Sequence, residues 1–549
     1  MYSAAPSPTR TYHYGQLLRT KLHITALSLG LSLATLAQAE LPALLAPLAT
    51  DTPSQVLGET LVASSDLLEV YQTNTNFWLI DGQLAPQTGA MLDAIAQVEI
   101  EGLLPTDYHQ SALQAHCTPT TFTPPDAPAC ELLFSDAFLT LAHHLASGKV
   151  APESLTPEWK RKSPPIQAAP LMQQLKGGKT VAELLSLLRP KAPEYAALMA
   201  ELKIMRERST RAPEWPAMAN TPAIKAQMED PRLPLITERL KFWGDLPQDY
   251  VGTQSYDATL QAGIKHFQQR NGLDDDGVIG KSSLQALNLG PSHRVKQLIG
   301  NLERWRWLPE DLGQKYIMVN IPSFELKVVV GNQVVLHKPV IVGRSARHTP
   351  IFSSRINRLI FNPTWTVPTK IAVEDKLPEI RRDPDFLQKL GIVVYERDRV
   401  VDPAGVNWRR LNKNNFPFRL VQQPGPQNAL GQVKFVIPNT DDIYMHDTPT
   451  RNLFSRAERA FSSGCIRVHK PLELVEWLLA AQDWDMAKIE AAIATGETQA
   501  IELKIPVPVH LEYWTAILDG TGAIAFRTDL YDRDLSLWQA LQSPASNLH

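Results

Sequence analysis

The stretch Tyr316-Ile-Met-Val-Asn-Ile-Pro-Ser-Phe-Glu-Leu-Lys-Val-Val-Val-Gly-Asn-Gln-Val-Val-Leu-His-Lys-Pro-Val-Ile-Val-Gly343 is where the chain changes its period. Before it, apolar residues recur three and four positions apart, as on helices. Within it, Phe324, Leu326, Val328 and Val330 alternate with Glu325 and Lys327. Alternation of that kind sends one side-chain set into a core and the other to water, so it reads as strand. Gly331-Asn332 is a turn signal between two such runs. Tyr316–Pro322, Phe324–Val330 and Val334–Gly343 therefore predict an antiparallel meander, a rigid mount for a site. Another strand-like segment, Arg358-Leu-Ile-Phe-Asn362, ends at Pro363-Thr-Trp-Thr-Val-Pro368.

Working downstream, residues 369–432 interrupt the sheet. Asp383-Pro-Asp-Phe-Leu-Gln-Lys-Leu-Gly391 has a capping residue, a proline at the first helical position and a closing glycine, which predicts a short helix. Arg409, Arg410, Lys413 and Arg419 are interleaved with Trp408, Phe416 and Phe418. They read either as a solvated face with packing aromatics or as a lid selecting carboxylate-bearing peptides. Long irregular insertions in sheet domains are disproportionately functional.

Beyond the insertion, Gln432-Val-Lys-Phe-Val-Ile-Pro438 and Ile443-Tyr-Met-His446 read as strands. Cys465 follows His446 by nineteen positions, across a polar, turn-rich connection at 447–461. A thiol attacks well only as thiolate, and an adjacent imidazole can take its proton. Gly464 permits a sharp turn that would aim backbone N–H groups at a carbonyl under attack, as an oxyanion hole requires. Arg467 shares a face with Cys465 if the segment is extended, and could bind a substrate carboxylate. Tyr444 and Ser462 are candidate supporting residues. A backbone carbonyl of the 447–461 loop is expected to orient His446. The carboxylate of Asp447 is the weaker candidate, because neighbours on a strand face opposite ways. Leu472–Ala481 and Met486–Ala494 read as helices, Ala500–Ile505, Val509–Leu518 and Ala523–Thr528 as closing strands, and 542–549 as a tail.

Upstream, 232–290 reads as a small helical unit. Leu260, Ile264 and Phe267 have helical spacing, and Gly272-Leu-Asp-Asp-Asp-Gly-Val-Ile-Gly280 lacks the glutamate of a calcium loop, so it reads as a turn. Residues 291–312 are expected to be a linker and 40–231 a helical scaffold. His143-His144 lack metal-binding spacing, and nothing in the chain calls for a metal or a cofactor. Arg10, Arg19 and Lys21, the apolar run Ile24–Leu36 and Ala37-Gln-Ala39 read as an export signal over 1–39, cleaved to leave no integral membrane anchor. In an exported chain with three cysteines, Cys117 and Cys130 could pair, leaving Cys465 as the odd, reactive thiol. At 549 residues with 44% hydrophobic and 20% charged composition, the chain is a folded multidomain protein. The export segment carries three basic and no acidic residues, so its loss takes the formal charge from −3 to −6. That acidity argues for neither nucleic acid nor an anionic membrane surface as partner.

Two resemblances join these parts. Tyr256-Asp, Phe267-Gln-Gln, Asn271-Gly-Leu, Asp276-Gly-Val-Ile-Gly280 and Ala286-Leu-Asn288 resemble the three-helix peptidoglycan-binding domain of cell-wall enzymes. His446 with Ser462-Ser-Gly-Cys-Ile-Arg-Val468 resembles the signature of the L,D-transpeptidases. Ser463 stands where small members commonly have histidine, a departure that leaves His446 as the base within the motif. Asn362–Pro368, Pro424-Gly-Pro-Gln-Asn-Ala-Leu-Gly431 and Tyr444–Pro449 extend the likeness to the large periplasmic members. The resemblance implies an α+β multidomain chain: a helical scaffold, a peptidoglycan-binding-like domain and a mainly antiparallel-β catalytic domain over 313–541 with a capping insertion. It implies 3→3 cross-linking through a Cys465 thioester, with donor and acceptor stem peptides as partners and carbapenem-type inhibitors acylating Cys465. It places Trp365 and Asn428 with Arg467, Tyr444 and Ser462 at the substrate. An L,D-carboxypeptidase or cysteine peptidase on the same stem would share every residue named, and a non-catalytic wall-binding protein would use only 232–290.

Overall fold

The computed structural model describes residues 41–545 except 51–53, 74, 157–158, 160–165, 213–214 and 310. The expected export segment lies outside the described residues. Two compact units divide the chain. Of the described residues, those within Met1–Lys149, Pro164–Pro190 and Leu541–His549 fall in one, and those within Val150–Ser163 and Lys191–Ala540 in the other.

The first unit is helical, with α1 (Ser64–Val70), α2 (Gln87–Gln97), α3 (Ala127–Ser147) and α4 (Val181–Leu188). The central helix α3 is buried on every side from Cys130 to Ala142, as its run of Leu, Phe and Ala dictates. Trp78 stacks on Phe134 at 5.4 Å. The two acids on α3 are buried because backbone donors meet them: Asp136 accepts from Val62 and Ala63 N–H, and Glu131 from Phe77 and Trp78 N–H. A disulfide joins Cys117 to Cys130 (S–S 2.05 Å). His143 and His144 diverge, one to Asp66 and the other to the Tyr108 hydroxyl.

The second unit opens with α5 (Pro193–Arg211). The scaffold expected over 40–231 is thus not one unit. The apolar face of α5, Tyr195, Leu198, Leu202 and Met205, is buried within the second unit. Next come α6 (Leu233–Trp243), α7 (Ala258–Arg270) and α8 (Lys281–Leu287), closed around Ile236, Leu240, Leu260, Ile264, Phe267 and Leu284. Asp257 caps α7 by accepting from Leu260 N–H at 2.8 Å. The Asp run makes a turn in which Asp276 accepts from Val278 N–H.

The expected linker at 291–312 is instead a helix, α9 (Pro291–Arg306), among the most buried of the unit. Its polar sequence reads as solvated, but several of its buried polar side chains have partners. Arg304 pairs with Asp534, Arg306 with Glu303 and the Tyr195 hydroxyl of α5, and Asn301 with Thr515. Paired charges and amides can be buried where lone ones cannot.

The β-domain follows. Its strands are β1 (Lys315–Asn320), β2 (Glu325–Val330), β3 (Gln333–Gly343), β4 (Phe352–Phe361), β5 (Trp365–Thr366), β6 (Ile392–Glu396), β7 (Arg399–Val401), β8 (Phe418–Gln422), β9 (Val433–Val436), β10 (Met445–His446), β11 (Ala460–Ser462), β12 (Ile466–Val468) and β13 (Gln499–Glu512). The main sheet runs β11-β3-β12-β10-β9-β4-β13-β1-β2, and β2 pairs back onto β3, so the sheet closes on itself. Most pairs are antiparallel. β10–β12, β13–β1 and β11–β3 are parallel. Two closing strands expected at Ala500–Ile505 and Val509–Leu518 are mainly one long β13, irregular between Glu502 and Val507. Pro506 sits there, and proline cannot supply a ladder donor. The helices α10 (Leu472–Leu479) and α11 (Met486–Ala494) follow β12.

The insertion has a sheet of its own, β7-β6-β8-β5, which reaches back to Trp365. Its separate core is Val367, Ala372, Ile380, Leu387, Ile392, Val394 and Leu420, with Trp408, Phe416 and Phe418 packed against it. The aromatics are packing residues, while Arg409, Arg410 and Lys413 are exposed.

Candidate active site

The site is set by register. β10 and β12 lie parallel, with Met445 beside Ile466 and His446 beside Arg467, and Ile466 N–H donates to the Tyr444 carbonyl. Side chains alternate across a strand, so Tyr444 and His446 share a face with Cys465 and Arg467. On the other flank of β10, β9 places Lys434 opposite His446. Five chemically active groups are thereby brought together by pairing alone.

The turn carrying Cys465 is stitched by its own residues. Ser462 Oγ donates to the Cys465 carbonyl (2.5 Å) and accepts from Gly464 N–H (3.1 Å). Gly464 has φ +115, and a Cβ there would lie 3.2 Å from the His348 carbonyl, so glycine is required. Thr349, fully buried, donates through Oγ1 to the Gly464 carbonyl (2.7 Å) and accepts from Gly343 N–H (2.9 Å). The N–H of Gly464, expected in the oxyanion hole, thus donates to Ser462 in this structure.

His446 is buried, and its Nδ1 lies 2.5 Å from the Asp447 carbonyl. A carbonyl only accepts, so Nδ1 carries the proton and Nε2 is the free base. The orienting group is therefore the backbone oxygen of Asp447. Its carboxylate turns away to Gln432 N–H (3.0 Å). Gly431, at φ +58, makes room for it, because a Cβ there would fall 2.3 Å from Asp447 Oδ2.

Burial, then the neighbouring Arg467 charge, pushes the His446 pKa down to about 3 despite the Asp447 bond. Burial raises that of Cys465, against the pull of Tyr444, Lys434 and Arg467. Both shifts favour neutral thiol and neutral imidazole over an ion pair at rest. The half-buried thiol contacts the Asp442 carbonyl at 3.8 Å. Tyr444 interacts with the thiol and with Trp365 through its hydroxyl, and its ring centroid is 5.6 Å from that of His446. Arg467 keeps its Nε buried with no partner among the described residues.

Comparison with known proteins bears on the same segment. Residues 314–505 match the family described as "L,D-transpeptidase catalytic domain". This segment is an L,D-transpeptidase catalytic domain. Residues 230–287 match a "Putative peptidoglycan binding domain", and 65–202 a "Scaffold domain". A Haemophilus influenzae protein named "Putative L,D-transpeptidase" is 36% identical over 249 residues, covering 45% of this chain and 50% of that protein. The chain thus spans about half the length of the curated relative it matches. A crystal structure of an L,D-transpeptidase fragment from Xylanimonas cellulosilytica covers 54% of this chain and 99% of its own at 14% identity, with a TM-score of 0.17.

Within the transpeptidase domain, the remaining expected residues have distinct places. Trp365, on β5, reaches the site through the Tyr444 hydroxyl. Asn428 does not have the place of a substrate contact. It is buried, its amide donates to the Pro363 and Gln423 carbonyls, and its Oδ1 accepts from Leu430 N–H, so it fixes the loop that ends at Gly431. Ser463 accepts from Arg347, which also grips Glu374 and Asp375 of the insertion. Sequence reasoning missed Lys434, Lys376, Thr349 and Arg347. Lys434 had a signal, a lone lysine between Val433 and Phe435 of a strand. Lys376 had none. It lies 5.6 Å from the Trp365 ring, and the charge of Arg467 bears on it. A cavity of about 970 Å³ lies in the insertion, lined by Ile380, Leu387, Val394 and Trp408 among others. Cys465 and His446 are not part of its lining, so cavity size does not locate the chemistry. Among the described residues, no group of three or more His, Cys, Asp or Glu is placed to hold a metal ion, and no helix is long and apolar enough to cross a membrane.

Proposed function

We propose that the chain is an exported L,D-transpeptidase that forms 3→3 peptidoglycan cross-links in the periplasm. The observation that carries the reading is the shared face of Tyr444, His446, Cys465 and Arg467, fixed by the β10–β12 register. Nε2 of His446 takes the thiol proton as the sulfur attacks the carbonyl of the third stem residue of a tetrapeptide donor. The S–C bond forms, and the oxyanion is held by the Cys465 N–H and by Gly464 N–H once it releases Ser462. The imidazolium so formed lies near Arg467 and Lys434. Two positive neighbours make it a strong acid, ready to protonate the leaving amine of terminal D-alanine. The C–N bond breaks and a thioester remains. A side-chain amine of a second stem peptide attacks it, gives up its proton to His446, and the thiol is restored. Arg467 and Lys376 supply positive charge for the donor's carboxylates. The domain matching a peptidoglycan-binding family at 230–287 supports the choice of polymer. Carbapenem-type inhibitors are expected to acylate Cys465 in the same way.

The test is a mass-spectrometric assay on a disaccharide-tetrapeptide. A dimer lacking one D-alanine is the expected product. Tripeptide alone would place water, not an amine, at the second step. Undiminished activity in Cys465→Ala would overturn the mechanism.

A further inference from the structure

Lys434 occupies the middle of β9, flanked by the fully buried Val433 and Phe435. Its register opposite His446 turns it onto the site. Its ammonium stands 3.9 Å from the centre of the Tyr444 ring, the geometry of a cation–π contact. The Tyr444 hydroxyl in turn reaches the Cys465 thiol. Among the described residues no carboxylate lies within ion-pair distance of the ammonium. The charged groups that bear on it are Cys465 and Asp442, which favour its charge, and Arg358, which opposes it. A half-buried cation held by an aromatic face and unneutralised by an acid calls for an anion from elsewhere.

That anion is available in the same pocket. His446 rests neutral, with Nδ1 bound to the Asp447 carbonyl and Arg467 beside it. No resting imidazolium therefore stabilises charge on sulfur. We propose that Lys434 is a positioning residue for the Cys465 thiolate, its ammonium clamped on the Tyr444 ring so that positive charge faces the sulfur as its proton leaves. This rests on the reading of Cys465 as nucleophile and adds a cation that the Cys–His pair lacks. The remaining charged groups around the sulfur are Arg467, which faces Lys376 as well, and Asp442, which offers its carbonyl.

The test is the pH dependence of Cys465 alkylation by iodoacetamide in the full chain, read by peptide mapping, for wild type, Lys434→Met and Lys434→Arg. Lys434→Met should move the profile up by about one pH unit, so that alkylation at pH 7 slows about tenfold. Lys434→Arg should stay within about twofold of wild type, because it keeps the charge and the aromatic contact. The turnover number for D-alanine release should fall with the alkylation rate in Lys434→Met at unchanged KM. Loss of the fold would expose the thiol and speed its alkylation, the opposite direction, so misfolding cannot imitate the result. An unshifted Lys434→Met profile, or Lys434→Arg slowed as much as Lys434→Met, would overturn the proposal. Failure of wild-type Cys465 to be labelled at any pH would count against the nucleophile itself.

Discussion

His109 in the first unit and His446 in the second are both buried, at 3% and 5% exposure, yet their charge is set in opposite directions. Burial lowers the pKa of each. At His109 the cost is outweighed by Asp136, 2.7 Å from Nε2, and then by Glu59, 3.2 Å from Nδ1, so its pKa ends above the ordinary value. At His446 the partners are a carbonyl dipole and two cations, and the pKa falls to about 3. Partner charge decides what burial alone does not. An imidazole clamped by two carboxylates is scaffold. A neutral imidazole with one free nitrogen is a base. The linkage signs differ accordingly. The raised pKa of His109 contributes stability that is full below pH 6.5 and lost as pH rises through its folded value. The depressed pKa of His446 opposes folding as pH falls from 6.5 towards 3.

The largest expected effect comes from deleting the base. His446→Ala should lower D-alanine release by about 10²–10⁴, the usual worth of general acid–base catalysis. Circular dichroism should stay unchanged. In wild type, the acid limb of kcat/KM should lie far below pH 6.5, near 3. A limb at pH 6 to 7 would mean that His446 is not held neutral, and the contrast with His109 would fail.

Next in size is the scaffold's counterpart. Asp136→Asn removes the charge that holds His109 and weakens the acceptor for Val62 and Ala63 N–H. Breaking a buried pair by one partner costs about 3–5 kcal/mol. Amide exchange at Val62 and Ala63 should accelerate strongly while alkylation of Cys465 is unchanged. Equal protection in the variant would show that the His109 cluster carries no stability.

The two histidines also mark what a sequence displays. His446 was legible because it belongs to a motif and because strand alternation puts it on the face of Cys465. The meander and the helix that carries Leu260, Ile264 and Phe267 were legible from period alone. The cluster at His109 was not, since Glu59 and Asp136 reach it only through packing of distant segments. The helix α9 failed for a related reason. Its arginines look solvated until Asp534 and Tyr195, hundreds or about a hundred residues away, turn out to face them. Lys434 is visible as a lysine between two apolar strand residues, but its meaning needed the β9–β10 register. Asn428 stood in a motif, yet its amide serves the loop backbone.

The smallest expected effect acts on His446 from one shell out. Gly431 has a positive φ, and its missing Cβ is the space that the Asp447 carboxylate fills. Alanine there must take an unfavourable backbone conformation and push Asp447 aside. Left-handed non-glycine backbone costs of order 1–3 kcal/mol. The displacement should reach the Asp447 carbonyl, and with it the orientation of His446 Nδ1. The imidazole stays in place but loses alignment. Gly431→Ala should therefore lower the turnover number about tenfold, with KM and the acid limb little changed. A fall in thermal stability with full turnover would show that Asp447 positions the loop rather than the base. That would separate the carbonyl that orients His446 from the carboxylates that charge His109, and leave the cations around Cys465 as the chief determinant of its chemistry.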